Sequence, residues 1–369
     1  MDTLLPVTTD TLATATLIVL GYLVAMFLGA RFLPGIERDG YDLPIGDKKR
    51  YSLTGMTLWY WVHLGLGVFW ALGGSLSPLI SHFWSLFIVT NVVAVIITGV
   101  LYLQGRREGT LRMEHGTGLP LPHLVKDLWF GNELNPVWFG VDVKMFMYQP
   151  SLIGVYLFVL AFANLQFDQT GTLTPQMVCF VAFWNVYLWT HYVKEEFMLS
   201  TWDVIAENFG FMLVWGDLVY VPYLYCLPGW WIAAETTPWP TWAWASLAAF
   251  ATLSMVIFRT ANWQKERYKR DREALIWGRK AEAVGGRLLV SGWWGVGRKF
   301  NYTGEIGVYL AFSLCAGFDS LWPHLLPLSL IILLAQRAAR DDAKCRSKYG
   351  ELWEQYCARV KFRMVPFIY

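Results

Sequence analysis

Long apolar runs broken by short polar clusters set the pattern of this chain. A spanning helix takes roughly 20 mostly apolar residues, and runs of that character fall near residues 11–33, 56–78, 82–103, 150–166, 173–193, 209–228, 240–259, 304–320 and 322–336. The pattern predicts an all-α polytopic membrane protein with about nine to ten transmembrane helices. Asp2 and Asp10 stand where a cleavable leader would carry basic residues, so the first run is expected to stay as an anchor.

The polar clusters orient the runs. Arg38, Lys48, Lys49 and Arg50 follow the first run, and Arg106, Arg107 and Arg112 follow the third. The basic stretch from Lys265 to Lys299 follows the seventh, and the tail follows the ninth, whereas 167–174 and 229–239 hold no Lys or Arg. With nine spans and an outside N-terminus, every basic segment lies on the cytoplasmic side.

Composition excludes an ordinary soluble enzyme: 55% of the 369 residues are hydrophobic, 17% aromatic and only 16% charged. A net charge of +2 gives no sign of a nucleic-acid partner. Five scattered cysteines without a CxxC pair predict neither a disulfide framework nor a zinc site. His63, His82, His115, His123, His191 and His324 never fall four apart, so no metal is expected.

Three stretches are too polar for lipid filler. KDLWFGNELNPVWFGVDVKMF, Lys126 to Phe146, mixes acids, lysines and aromatics. THYVKEEFMLSTWDVIAENFGFMLVWGDLVYVPYLY places Glu195, Glu196, Asp203, Glu207 and Asp217 within or between apolar segments. Such carboxylates cost about 2.5 kcal/mol or more each at membrane depth, so they pair, line a cavity or sit at the interface. The third stretch is SGWWGVGRKFNYTGE, Ser291 to Glu305, followed one apolar segment later by QRAARDDAKCRSKYGELWEQYC. There Arg337, Asp341, Cys345 and Tyr349 recur every four residues, on one face of a helix. The two patches flank one apolar segment and can close on one elongated polar ligand. Plainer readings stand beside this one: Trp293 and Trp294 as interfacial anchors, Arg267, Arg270 and Arg272 as positive-inside charge, Glu195 and Glu196 as a solvated helix end, Cys345 as packing.

SGWWGVGRKFNYTGE, RDDAKCRSKYGELWEQYC and the terminal VKFRMVPFIY closely resemble the sterol reductases that saturate ring or side-chain double bonds, including the sterol domain of the lamin B receptor. GNELNP, VDVKMF, STWDV, FGFML and ANWQK extend the resemblance over roughly 125–369, leaving 1–124 as N-terminal transmembrane helices and 260–369 as the cofactor-binding part. The resemblance implies an integral multi-pass enzyme of the endoplasmic reticulum, or of the bacterial inner membrane, with NADPH bound on the cytoplasmic side and sterol and membrane lipid as its partners. Carried over by position, the cofactor residues are Lys265, Lys269, Trp294, Arg298, Asn301, Tyr302, Arg337, Asp341, Cys345 and Tyr349. Their cations suit a pyrophosphate and a ribose 2′-phosphate. An isolated alkene accepts hydride poorly, so an acid must protonate one carbon as hydride reaches the other. The resemblance points to Tyr187 as that acid, with Glu195, Glu196 and Asp217 to supply or relay the proton.

Some positions depart from the family pattern. Lys299 stands where ring reductases usually carry His, Lys269 where Arg is commoner, and Thr190 and Val137 replace an aspartate and an arginine. Tyr148-Gln149-Pro150 replaces an RPG, so the cofactor end is better kept than the substrate end. FNYTGE, GDLVYVPYLY and IWGRK resemble the enzymes acting at ring carbon 7 or 14, whereas STWDV, RKFNYT and AGFDSLWP resemble those acting at side-chain carbon 24. The ring reading is preferred, because Asn301, Glu305 and Asp217 are polar positions near the expected reaction centre. The alternatives are a side-chain reductase, a membrane methyltransferase of the isoprenylcysteine type, and a non-catalytic sterol-binding protein. Arg337 and Asp341 stand where the methyltransferases carry paired glutamates.

Overall fold

A computed structural model describes residues 4–42, 48–108, 122–234 and 239–368; Arg112 and His115 lie outside the described residues. The fold is all-α, and the chain divides into two compact units, Met1–Ala234 and Glu235–Tyr369.

In the first unit, α1 (Thr9–Phe32) starts at a capping box in which Thr8 and Thr11 satisfy each other's backbone N–H groups. A β-hairpin, Ile36–Asp42 with Lys48–Leu53, leads into α2 (Gly55–Ala71) and α3 (Phe83–Glu108). Helix α4 (Val143–Thr170) is the core of this unit: Val143, Ile153, Val155, Val159, Ala161 and Phe162 have no exposed surface. Asp142 caps it, accepting from the Met145 N–H at 2.9 Å, and Gly171 closes it at φ 72°, a conformation a Cβ would strain. After α5 (Pro175–Val193), the stretch Phe211–Ala234 runs through a π-helical segment, Gly216–Leu224, that contains Pro222. Proline lacks a donor, and the wider π-turn absorbs the lost bond.

In the second unit, α6 (Thr241–Arg270) is followed by two small hairpins, 275–280 and 283–289, and a turn at Trp293–Val296. Then come α7 (Phe300–Leu314), α8 (Leu325–Tyr349) and α9 (Glu351–Arg359). Helices α6 and α7 pack closely because α7 presents glycines: a Cβ on Gly304 would stand 2.5 Å from the Phe258 nitrogen, and one on Gly307 2.4 Å from Ser254 Oγ.

Among the described residues, five helices are long and apolar enough to cross a membrane: α1, α3, α4, Phe211–Ala234 and α6. The protein is an integral membrane protein. Four of the nine expected runs form helices that fall short. Helix α2 spans 17 residues and ends before Gly73 at φ 81°, α7 spans 15, and α8 turns polar from Gln336 onward. Helix α5 spans 19 residues but carries Gln176, Asn185 and His191. The run near 150–166 is longer than expected, because VKMFMYQ extends it upstream as helix.

Candidate active site

The acidic candidates of the first unit lie in separate settings. Tyr187 sits on α5, 6% exposed, with its ring edge-on to Trp184 at 5.8 Å. Its carbonyl accepts from the Thr190 hydroxyl at 2.9 Å, so the threonine found in place of an aspartate turns to the backbone. Glu195 and Glu196, adjacent on a 3-10 turn, meet opposite fates. Glu196 pairs with Arg38 of the hairpin at 3.1 Å. Glu195 is 7% exposed, and its Oε2 accepts the Gly55 N–H at 2.9 Å. Burial pushes the Glu195 carboxyl up to about 7, against hydrogen bonds from Gly55 and Gln149 that favour its ionised form.

Glu195 is fixed by residues the sequence did not single out. A Cβ on Gly55 would meet the Glu195 Oε1 at 2.6 Å and the Tyr192 ring at 2.5 Å, so only glycine lets the carboxyl and the tyrosine close over the start of α2. The Gln149 amide donates to Thr54 Oγ1 at 3.0 Å. Asp217 lies elsewhere, 8% exposed on the π-helical segment, within electrostatic reach of Asp203 and Lys144. Lys144 is fully buried, and its ammonium holds the Asp203 and Glu207 carbonyls at 2.7 and 2.5 Å. A π-turn re-aims the side chains it carries, and here it carries Asp217.

In the second unit the two polar patches close on each other. Lys299 forms an ion pair with Asp341, and Arg298 pairs with Asp342 at 3.6 Å. Neighbouring residues on a helix point about 100° apart, so the two aspartates of α8 reach different cations. Arg298, expected to hold cofactor, is 8% exposed and donates to the Val360 and Lys361 carbonyls at 2.6 and 3.0 Å. With Arg363, 3.2 Å from Asp342, it ties the C-terminal tail to α8. The adjacent aspartates in RDDAK were the available sign of Asp342.

Trp294 is buried, donates to the Ala261 carbonyl at 2.8 Å, and carries Lys265 above its ring at 4.8 Å. Lys269, one helical turn on, stands among Lys265, Arg272 and Lys348, with Glu266 the opposing charge. Asn301 donates to Asn262 Oδ1 at 3.1 Å, while its own Oδ1 and the Thr303 hydroxyl are buried with no partner among the described residues. Tyr302 packs with Leu334, Ala338 and Met364. Arg337, Asp341, Cys345 and Tyr349 line half-buried positions of α8, and Cys345 and Tyr349 pack against Val290, Trp353 and Tyr356. Burial pushes the Cys345 thiol up, against the pull of Lys299 and Lys265.

Lysines clustered at such density repel one another and favour an anion among them. Residues 5–369 match the model of the family described as Ergosterol biosynthesis ERG4/ERG24. The Delta(14)-sterol reductase of Arabidopsis thaliana is 35% identical over 353 residues, 94% of each chain. That of Methylotuvimicrobium alcaliphilum is 35% identical over 361 residues, 95% of this chain and 83% of its own. A probable 7-dehydrocholesterol reductase of Acanthamoeba polyphaga mimivirus is 29% identical over 351 residues, 92% of this chain and 78% of its own. The match takes in residues 5–124, where the motifs carried no resemblance. From the first transmembrane helix to the tail that Arg298 holds, the chain belongs to the Ergosterol biosynthesis ERG4/ERG24 family.

Proposed function

We propose that this protein is an NADPH-dependent reductase that saturates a ring carbon–carbon double bond of a sterol, the bond at carbon 14. The observation that carries the reading is the 35% identity, over 94% and 95% of the chain, to two proteins named Delta(14)-sterol reductase. The 29% relative named for 7-dehydrocholesterol makes carbon 7 the second choice. The family match leaves no ground for the methyltransferase reading.

The residues of the second unit fit NADPH. Lys265, Lys269, Lys348 and Arg272 crowd together against Glu266, and a bound pyrophosphate and 2′-phosphate relieve that repulsion. Arg337 adds a planar donor suited to the 2′-phosphate, which NADH lacks. Asp341 and Tyr349 would suit ribose hydroxyls, and the Asn301 Oδ1 and Thr303 hydroxyl, buried with no partner among the described residues, an amide such as the carboxamide. Trp294 is the floor beneath Lys265, and Arg298 is a positioning residue that keeps the tail in place. NADPH bound there supplies the hydride.

At a bond between carbons 14 and 15, protonation at carbon 15 leaves the positive charge on the more substituted carbon 14, which takes the hydride; both new C–H bonds are then accounted for. Tyr187 donates the proton at its phenol oxygen. Glu195, neutral in part near pH 7, and buried Asp217 are the further acids that could supply the proton. Burial of Tyr187 beside Trp184 keeps bulk water from the charge that develops. The sterol comes from the bilayer, and the cofactor side faces the cytoplasm of a bacterial inner membrane or of the endoplasmic reticulum.

Purified protein given NADPH and three sterols, each with one double bond at carbon 7, 14 or 24, tests the reading by mass spectrometry of the products. Saturation at carbon 14 is expected. Saturation at carbon 24 alone would move the protein to the side-chain reductases, and no product from any of them would favour a sterol-binding role without turnover.

A further inference from the structure

The hairpin directly after α6 has the wrong residue at its turn. Leu275 pairs with Lys280 and Ile276 with Arg279, so Trp277 and Gly278 alone connect the strands. Both have positive φ, 51° and 75°. That is the signature of a type I′ turn, which favours Asn-Gly because a bulky side chain is crowded in the left-handed region. A tryptophan there calls for a reason outside the turn.

Alternation along the strand separates two faces. Ile276 is 3% exposed and packs with Tyr268, Leu289 and Trp294, whereas Leu275 and Trp277 on the other face are 52% and 61% exposed. The exposed face lies at the end of the apolar part of α6. Trp277 meets Trp293 edge-on at 5.1 Å, and the Trp293 indole N–H donates to Thr260 Oγ1 at 2.8 Å. Arg259 and Thr260 follow Phe258 at the point where the helix turns polar. Trp263, 42% exposed, stands at the same level with Arg267 over its ring at 5.0 Å. Exposed indoles interleaved with arginines mark the membrane–water boundary. Of the three acids of this excursion, Glu273 pairs with Lys280 and Glu282 with Arg359, which leaves exposed Asp271 against exposed Arg272, Arg279 and Arg287.

We propose that the 275–280 hairpin is an interfacial foot, with Leu275 and Trp277 inserted among the headgroups of the leaflet from which α6 emerges and Arg279 at the phosphates of its anionic lipids. The foot continues the surface that α6 already makes with the bilayer, and its charge complements an anionic leaflet. It is independent of the reaction assigned above.

The test uses full-length protein with fluorinated tryptophan in lipid nanodiscs containing anionic lipid. Of the resonances from 21 tryptophans, the one lost in Trp277→Phe is assigned to Trp277. Headgroup-level nitroxide lipids should broaden it strongly and a water-soluble gadolinium chelate weakly; the reverse order overturns the proposal. Trp277→Asn is the second variant, because Asn-Gly suits the turn better. Its melting temperature in detergent should be unchanged or higher, while the extra stability gained on moving from zwitterionic to anionic nanodiscs should shrink. An undiminished gain would show that the indole acts only within the protein.

Discussion

Replacing Glu195 with Gln removes one ionisation and little else. Glu195 is 7% exposed, and its Oε2 accepts the Gly55 N–H at 2.9 Å, which the Gln carbonyl can also accept. The carboxyl titrates at about 7 in the folded protein against an ordinary value of 4.5. Each pH unit of difference is worth about 1.4 kcal/mol, so the folded state is penalised by roughly 3 kcal/mol once Glu195 is ionised. The sign follows from the raised value. Below about pH 4.5 the group is protonated whether folded or not, and no penalty exists; between about pH 4.5 and 7 the unfolded chain loses its proton first, so stability falls with rising pH. Above about pH 7 the loss is complete and constant. Thermal unfolding of purified protein in detergent, recorded from pH 5 to 8.5, should give a melting temperature that declines across that window for the natural protein and a flatter profile for Glu195→Gln. The variant should be the more stable at pH 8.5 by about 3 kcal/mol, the gap narrowing to about 1 kcal/mol at pH 5. Parallel profiles for the two proteins would refute the burial argument, and a variant less stable at every pH would mean that the ionised carboxylate is what α2 requires.

Three further outcomes follow from the same geometry. Tyr187→Phe should lower kcat by roughly a hundredfold or more while leaving the sterol and NADPH KM values nearly unchanged, because only the proton transferred in the transition state is lost; steady-state kinetics check this, and undiminished turnover would pass the acid role to Glu195 or Asp217. Arg337→Ala should raise the KM for NADPH by roughly tenfold or more, the worth of a charge-assisted hydrogen bond, and that for NADH far less; equal losses would mean that Arg337 holds some other group. Asp342→Ala should destabilise the protein by roughly 3 kcal/mol, because it removes the carboxylate that buried Arg298 and Arg363 share, and limited proteolysis should then cut the tail beyond Val360.

What could be read from the chain divides along physical lines. Apolar length is additive along a sequence, so α1, α3, α6 and the Phe211–Ala234 stretch were legible. Helix α5 misled because its aromatic residues look apolar while Gln176, Asn185 and His191 do not. The Arg337–Tyr349 face was legible because spacing of four on a helix is a local property. Arg298 was not: its type suits a phosphate, and only the fold reveals that the tail returns to place two carbonyls against it. The differing fates of Glu195 and Glu196 were equally hidden, since they depend on Gly55 and Arg38, more than a hundred residues away in sequence. Pairings at such separation have no signature in a single chain.

Isotope tracing tests the central claim most directly. The protein is incubated with a carbon-14-unsaturated sterol in two parallel reactions, one with NADPH carrying deuterium at the transferred position in ordinary water, the other with ordinary NADPH in heavy water, and the products are located by mass spectrometry and NMR. Protonation plus hydride transfer predicts one deuterium at carbon 14 from the labelled NADPH and one at carbon 15 from heavy water. Both labels from one source, a label on the side chain, or a product free of cofactor-derived deuterium would contradict it.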